Sequence, residues 1–228
     1  MNRESDAAYE VENPDTCLRS YQWQAVPKIV SYLSKGLSKK TWLDFGAGNG
    51  GLLTHLGKSH LELKLLAYEA SASAAASQEL VYTILGREEL AQYYGRVGII
   101  SSLGYLQQLQ EPEKAFAEIG RLLYPGGIFF YQVANSAKVS WESLREGSAS
   151  LFTPQTMQEY LQAAGMQQQQ FPLYAKYLFT GIVKHKILQG LGYKDRKIWH
   201  NFIPWSVIAH FANLKYGITE LGYGIKQG

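Results

Sequence analysis

An α/β fold, a mainly parallel sheet with helices on both faces, is predicted by three features of the chain. Short apolar runs alternate with stretches of helical spacing, the pattern a parallel sheet imposes because each strand needs a crossover to reach the next. The 228 residues, 46% hydrophobic and 18% charged, suffice for one full-sized domain with a sizeable core. The stretch "TWLDFGAGNGGLL", residues 41 to 53, places four glycines in six positions directly behind an apolar run that ends in a carboxylate. Glycine at that density is unfavourable inside a helix or strand, so it marks a turn whose backbone something approaches closely.

Taken in order, the polar and acidic "MNRESDAAYEVENPD" reads as an arm without the apolar core of a signal peptide. "PKIVSYLSKGLS" is a short helix, with Pro27 suited to its first turn and Gly36 to its end. Residues 1–40 thus form an arm and cap helix ahead of a domain over 41–228. "TWLDFG" is the first strand and "GLLTHLGKS" the helix after it; "LKLLAYEAS" is a second strand closing on Glu69. "SASAAASQEL" is helix-permissive, "VYTIL" is β-branched and aromatic, "REELAQYY" is helical, and "RVGIISSL" is a strand. In "EPEKAFAEIGRLL", Ala115, Ile119 and Leu122 share one helix face, flanked by Phe116 and Leu123. "YPGG" breaks that helix before the strand "IFFYQVA". Past residue 135 the rhythm changes: a polar loop, the helix "TPQTMQEYLQAAG" closed by Gly165, a solvated "QQQQ" leading into a strand, and "ITELGYGIK" as a final edge strand. No internal repeat or linker marks a second domain.

A net charge of +3 gives no reason to expect nucleic acid. The single cysteine, Cys17, excludes an internal disulfide and suits a reducing compartment. No apolar run approaches the roughly 20 residues that span a bilayer. These features predict a soluble, cytoplasmic protein with a small-molecule partner.

Two readings of the glycines compete. Gly46, Gly48 and Gly51 satisfy the G-x-G-x-x-G of a dinucleotide site, which would make the protein an NAD(P)-binding oxidoreductase. Asp44 with Gly46, Gly48 and Gly50 instead forms a nucleoside-binding turn. On this second pattern the chain resembles the class I S-adenosylmethionine-dependent methyltransferases: "WLDFGAGNGG" is similar to their first motif, and Glu69 in "AYEAS" stands where they keep an acid for the ribose hydroxyls. "LQEPEKAFAEIGRLLYPGGIFFYQVAN" is similar to their helix, proline-glycine-glycine turn and fifth strand. "LFTPQTMQEYLQAAGM" resembles a bacterial subgroup encoded with sugar, polysaccharide or secondary-metabolite pathways. The resemblance implies a seven-stranded Rossmann-like sheet and S-adenosylmethionine held by Asp44, Gly46, Ala47, Gly48, Asn49, Gly50, Glu69, Ala70, Ser101 and Ser102, with no metal. For Asp44 two roles stay open, holding the ammonium or bonding the loop's own amides; Glu69 is either a ribose acceptor or a solvated strand end.

The chain departs from the family in two places. "GRVGIISSLGYLQQL" has Gly98 and Ser101 in place of charges, with Tyr105 and Gln108 near an expected Glu-His, and "VYTILGREEL" lacks the Gly-Asp that contacts adenine. Adenine recognition is then expected from groups around Leu85 and Gly86, and a methyltransferase-fold binding protein without catalysis is the alternative reading. Methyl transfer is an in-line displacement on an activated donor, so alignment supplies much of the rate and no fixed triad is needed. A base matters only where the acceptor must lose a proton. Tyr105, at the carboxyl end of the fourth strand, ranks first, followed by His200 and His185; His55 and His60 read as packing and loop residues. Tyr21 and Trp23 could cover the cofactor. The aromatic and basic segment 177–217 is read as a substrate lid or a homodimer face, with contact to an anionic membrane as the minority view.

Overall fold

The computed structural model describes residues 37–59, 62–70, 81–134, 150–169 and 219–228. The arm before residue 37, the stretch 71–80, and the segment 177–217 with His185 and His200 lie outside them, as does His60. The described elements are β1 (Thr41–Gly48), α1 (Gly51–Ser59), β2 (Lys64–Ala70), β3 (Thr83–Leu85), β4 (Val97–Leu103), α2 (Pro112–Leu122), β5 (Leu123–Ala134), α3 (Pro154–Ala163), β6 (Met166–Gln169) and β7 (Thr219–Lys226). Seven strands form one sheet in the order β3-β2-β1-β4-β5-β7-β6. β1 to β5 run parallel and β7 is antiparallel to both its neighbours.

Alternation along the strands divides the core in two. In β1, Trp42 packs with Leu52, Leu53 and Leu56 of α1, while Leu43 and Phe45 point to the opposite face. That face meets Ala115, Phe116, Ile119 and Leu122 of α2 and Met157 and Leu161 of α3. The α2 stripe is the one its spacing predicts; each large apolar side chain so buried contributes about 1.5–3 kcal/mol. Thr153 caps α3: its hydroxyl accepts from the Thr156 amide at 3.1 Å, and the Thr156 hydroxyl accepts from the Thr153 amide at 2.8 Å.

Two expectations change. "YPGG" does not separate α2 from its strand: β5 begins at Leu123, paired with Val97, and the register shifts before Ile128. "ITELGYGIK" forms no edge: β7 lies between β5 and β6, and the glutamine-rich β6 is the edge. An amide-rich strand can satisfy its free backbone side in water, whereas Gly222 and Tyr223 of β7 are buried. "REELAQYY" is helical as expected, in the tighter 3₁₀ form over Arg87–Tyr93.

Candidate functional site

Because β1 pairs with β2 on one side and β4 on the other, the strand order reverses at β1, and the carboxyl ends of β1 to β4 share one edge. Open α/β sheets bind ligands in the crevice at such a reversal. The glycine loop stands there. Gly46, Gly48 and Gly50 all take positive φ, at +88°, +53° and +73°, a region closed to most side chains. A Cβ on Gly46 would lie 2.2 Å from Cγ of Tyr105, and one on Gly50 would lie 1.9 Å from the Tyr82 hydroxyl. Gly48 meets nothing within 4 Å. Two glycines are therefore required by tyrosines that close on the loop, and Gly48 leaves its backbone open.

Ala47 is buried among the α1 contacts, and the Asn49 side-chain oxygen accepts from the Gly51 amide at 3.1 Å, capping α1. Gly48 pairs with Ala70, which brings the end of β2 beside the loop. There Glu69 is exposed, with φ +54°, the only described non-glycine residue at positive φ. That conformation breaks the strand's alternation and turns its carboxylate toward the Tyr68 phenol, whose pKa rises through burial and then through Glu69. Tyr68 and Tyr105 flank Phe45 at ring distances of 4.7 and 5.9 Å.

Asp44 is buried, and its Oδ1 accepts from the Ser101 hydroxyl at 2.7 Å. Burial pushes its pKa up to about 7, and the Ser101 bond pulls the other way. Two of the loop's own amides are engaged elsewhere: the Gly50 amide donates to the Ala47 carbonyl, and that of Gly51 to the Asn49 side-chain oxygen. Ser101 and Ser102 are fully buried on opposite faces of β4, and the Ser102 hydroxyl has no partner among the described residues. Tyr105 has its pKa raised by burial first and then by Glu69 and Tyr68, with Arg87 opposing, so its phenol stays protonated and suits a donor or a wall better than a base. Gly86, where adenine contacts were expected, has both backbone groups engaged by Glu89, its amide to Oε2 at 2.7 Å and its carbonyl by the Glu89 amide at 3.1 Å.

Tyr82, Tyr68 and Trp42 were not legible as site residues. Trp42 had a usable signal, since it lies two residues before Asp44 and so on the same strand face. Tyr82 had none, because its reach to Gly50 depends on how β3 sits in the sheet.

A methyltransferase-domain family profile matches residues 18–170. No curated protein matches the chain. Among solved structures, the chain is similar to a methyltransferase of Haloferax volcanii, described as putative and bound to the Trm112 methyltransferase activator, at 15% identity, covering 94% of this chain and 97% of that one with a TM-score of 0.56. It is similar to the [4+2]-cyclase SpnF at 16% identity, covering 90% and 82% with a TM-score of 0.54. It is also similar to the Haemonchus contortus phosphoethanolamine N-methyltransferase 2 in complex with S-adenosyl-L-methionine, at 14% identity, covering 94% of this chain and 57% of that one with a TM-score of 0.57.

Proposed function

The chain belongs to the methyltransferase-domain family, with S-adenosylmethionine as cofactor, and we propose that it moves the cofactor's methyl group to a small molecule such as a sugar or pathway intermediate. The observation that carries the reading is the open Gly48 backbone beside the exposed carboxylate of Glu69 at one sheet edge. A carboxylate there accepts from both hydroxyls of a ribose through charge-assisted bonds. The bare loop admits a nucleoside and its amino-acid tail without needing a phosphate. The family match sets the dinucleotide reading aside.

When bound, the sulfonium supplies an already activated methyl group. The chain's residues then orient and shield. Glu69 fixes the ribose, Asp44 faces the ammonium, and the protonated Tyr105 phenol walls the loop over Gly46. His185 and His200 remain the proposed bases for an acceptor that must lose a proton, and 177–217 the proposed acceptor cover or homodimer face. Incubation with methyl-labelled S-adenosylmethionine and a panel of sugars, amines and hydroxylated small molecules tests the proposal. Expected is label transfer and S-adenosylhomocysteine release that depend on the acceptor. Tight cofactor binding with no transfer across the panel would instead support a binding protein.

A further inference from the structure

Behind the glycine loop a buried chain of three side chains joins β1 to β4. Trp42 and Asp44, two residues apart, share the face of β1 that looks toward α1, and Asp44 is in register with Ser101 on β4. The Trp42 indole donates to the Ser101 hydroxyl oxygen at 2.9 Å, and that hydroxyl donates to Asp44 Oδ1 at 2.7 Å. All three are at most 5% exposed.

The direction of this chain is fixed by chemistry. An indole N–H can only donate, so Ser101 must accept from it, and the one proton of Ser101 is left for Asp44. A bond to a carboxylate is stronger than one to the neutral acid, so the chain favours ionised Asp44. Among the described residues the hydrogen bond given to this carboxylate is the one from Ser101 to Oδ1, which leaves Oδ2 for a ligand.

We propose that Ser101, and Trp42 through it, are positioning residues that hold Asp44 as an ionised acceptor whose free oxygen receives a cationic group of the ligand, the cofactor's ammonium. The inference rests on the cofactor reading above. Ser101 thus serves the cofactor through Asp44, from a place where it is itself fully buried. The titratable group facing Asp44 is the Tyr82 phenol, from the segment before β3, whose pKa is raised by burial first and then by the field of Asp44. Among the described residues no lysine, arginine or histidine shifts Asp44. With its carboxyl pushed up to about 7 by burial, Asp44 ionises as the pH rises through neutrality, and cofactor affinity should fall as the pH drops through that range.

The test measures S-adenosylhomocysteine affinity from pH 5.5 to 9, and separately the Asp44 midpoint in the cofactor-free protein by carboxyl carbon NMR. Variants are Ser101→Ala, Ser101→Thr and Trp42→Phe. In Ser101→Ala both midpoints should move up by about one pH unit, a tenfold loss of affinity below the midpoint, with affinity regained at pH 9. Trp42→Phe should move them the same way by less, and Ser101→Thr should restore the wild-type profile. A midpoint in the cofactor-free protein that stays put in both Ser101→Ala and Trp42→Phe overturns the proposal. A midpoint that moves while affinity stays flat with pH overturns it at the ligand end, because Asp44 then meets no cation. A wild-type protein that binds no S-adenosylhomocysteine at any pH overturns the cofactor reading itself.

Discussion

Glu69 holds a left-handed backbone at φ +54°, which costs a residue with a Cβ about 1–2 kcal/mol. A strand end that needed only solvation would not retain that strain, and its persistence beside the glycine loop suits a residue held for a ligand. Glu69→Ala should weaken S-adenosylmethionine binding by about 1.5–3 kcal/mol, the range for bonds to a charged group, in calorimetry. Glu69→Gly should lose the same affinity while raising the Tm of the cofactor-free protein, since glycine accepts that φ. A lower Tm in both variants with unchanged affinity would make Glu69 structural. Asp44 stores free energy in a different way. Its pKa is about 7 in the folded protein against 3.8 in the open chain, so the folded state binds the extra proton between those values. Stability is then fullest below about pH 4 and lost as the pH rises toward 7, by about 4 kcal/mol at order of magnitude. Asp44→Asn should remove that slope and exceed wild type in Tm at pH 8 without cofactor, while binding cofactor worse. Thermal melts of both proteins from pH 4 to 8 check it, and parallel slopes would contradict it. At this scale the sequence named Asp44 and Glu69 from their places ahead of the glycines and at a strand end, but strain and burial are tertiary facts that no spacing encodes.

Among elements, β4 explains its own departure from the family pattern. A Cβ on Gly98 would lie 2.2 Å from the backbone carbonyl oxygen of Lys39, just ahead of β1, and the β4–β5 register shifts at this point. Gly98 stands where the resemblance implied a charged residue, and the chain entering β1 leaves no space there for a side chain. Gly98→Asp should therefore fail to restore any lost function, and Gly98→Ala should destabilise by about 1–3 kcal/mol in denaturant melts, the usual cost of overpacking. An unchanged midpoint would show that Lys39 moves aside freely. The glycine loop behaves similarly at its far end. Gly50→Ala drives a methyl into the Tyr82 hydroxyl, so it should weaken cofactor binding, and Tyr82→Ala in the same chain should recover part of the loss. The alternation of strand and helix, the stripe of α2 and the α3 stop at Gly165 were legible because local periodicity and capping decide them. The place of β7 inside the sheet was not, because pairing is decided by long-range contacts, and a short glycine-containing strand reads the same at an edge or between neighbours.

For the whole molecule, five parallel strands reversing at β1 bring the glycine loop, Glu69 and Tyr105 to one edge, although Asp44 and Tyr105 are far apart in sequence. That convergence follows from the crossovers, and the order of motifs predicted it before any side chain was placed. The acceptor side was less legible: His185, His200 and the aromatic segment offer chemistry without a pattern that says what they touch. The fold alone does not decide the chemistry, as the similarity to a [4+2]-cyclase illustrates. The central claim is that this edge receives S-adenosylmethionine. Isothermal titration of the full chain with S-adenosylmethionine, S-adenosylhomocysteine and NAD(H) tests it most directly. Expected is one-site binding of the first two, weakened in Glu69→Ala, with no heat from NAD(H). Saturable NAD(H) binding with no response to either sulfur nucleoside would contradict it.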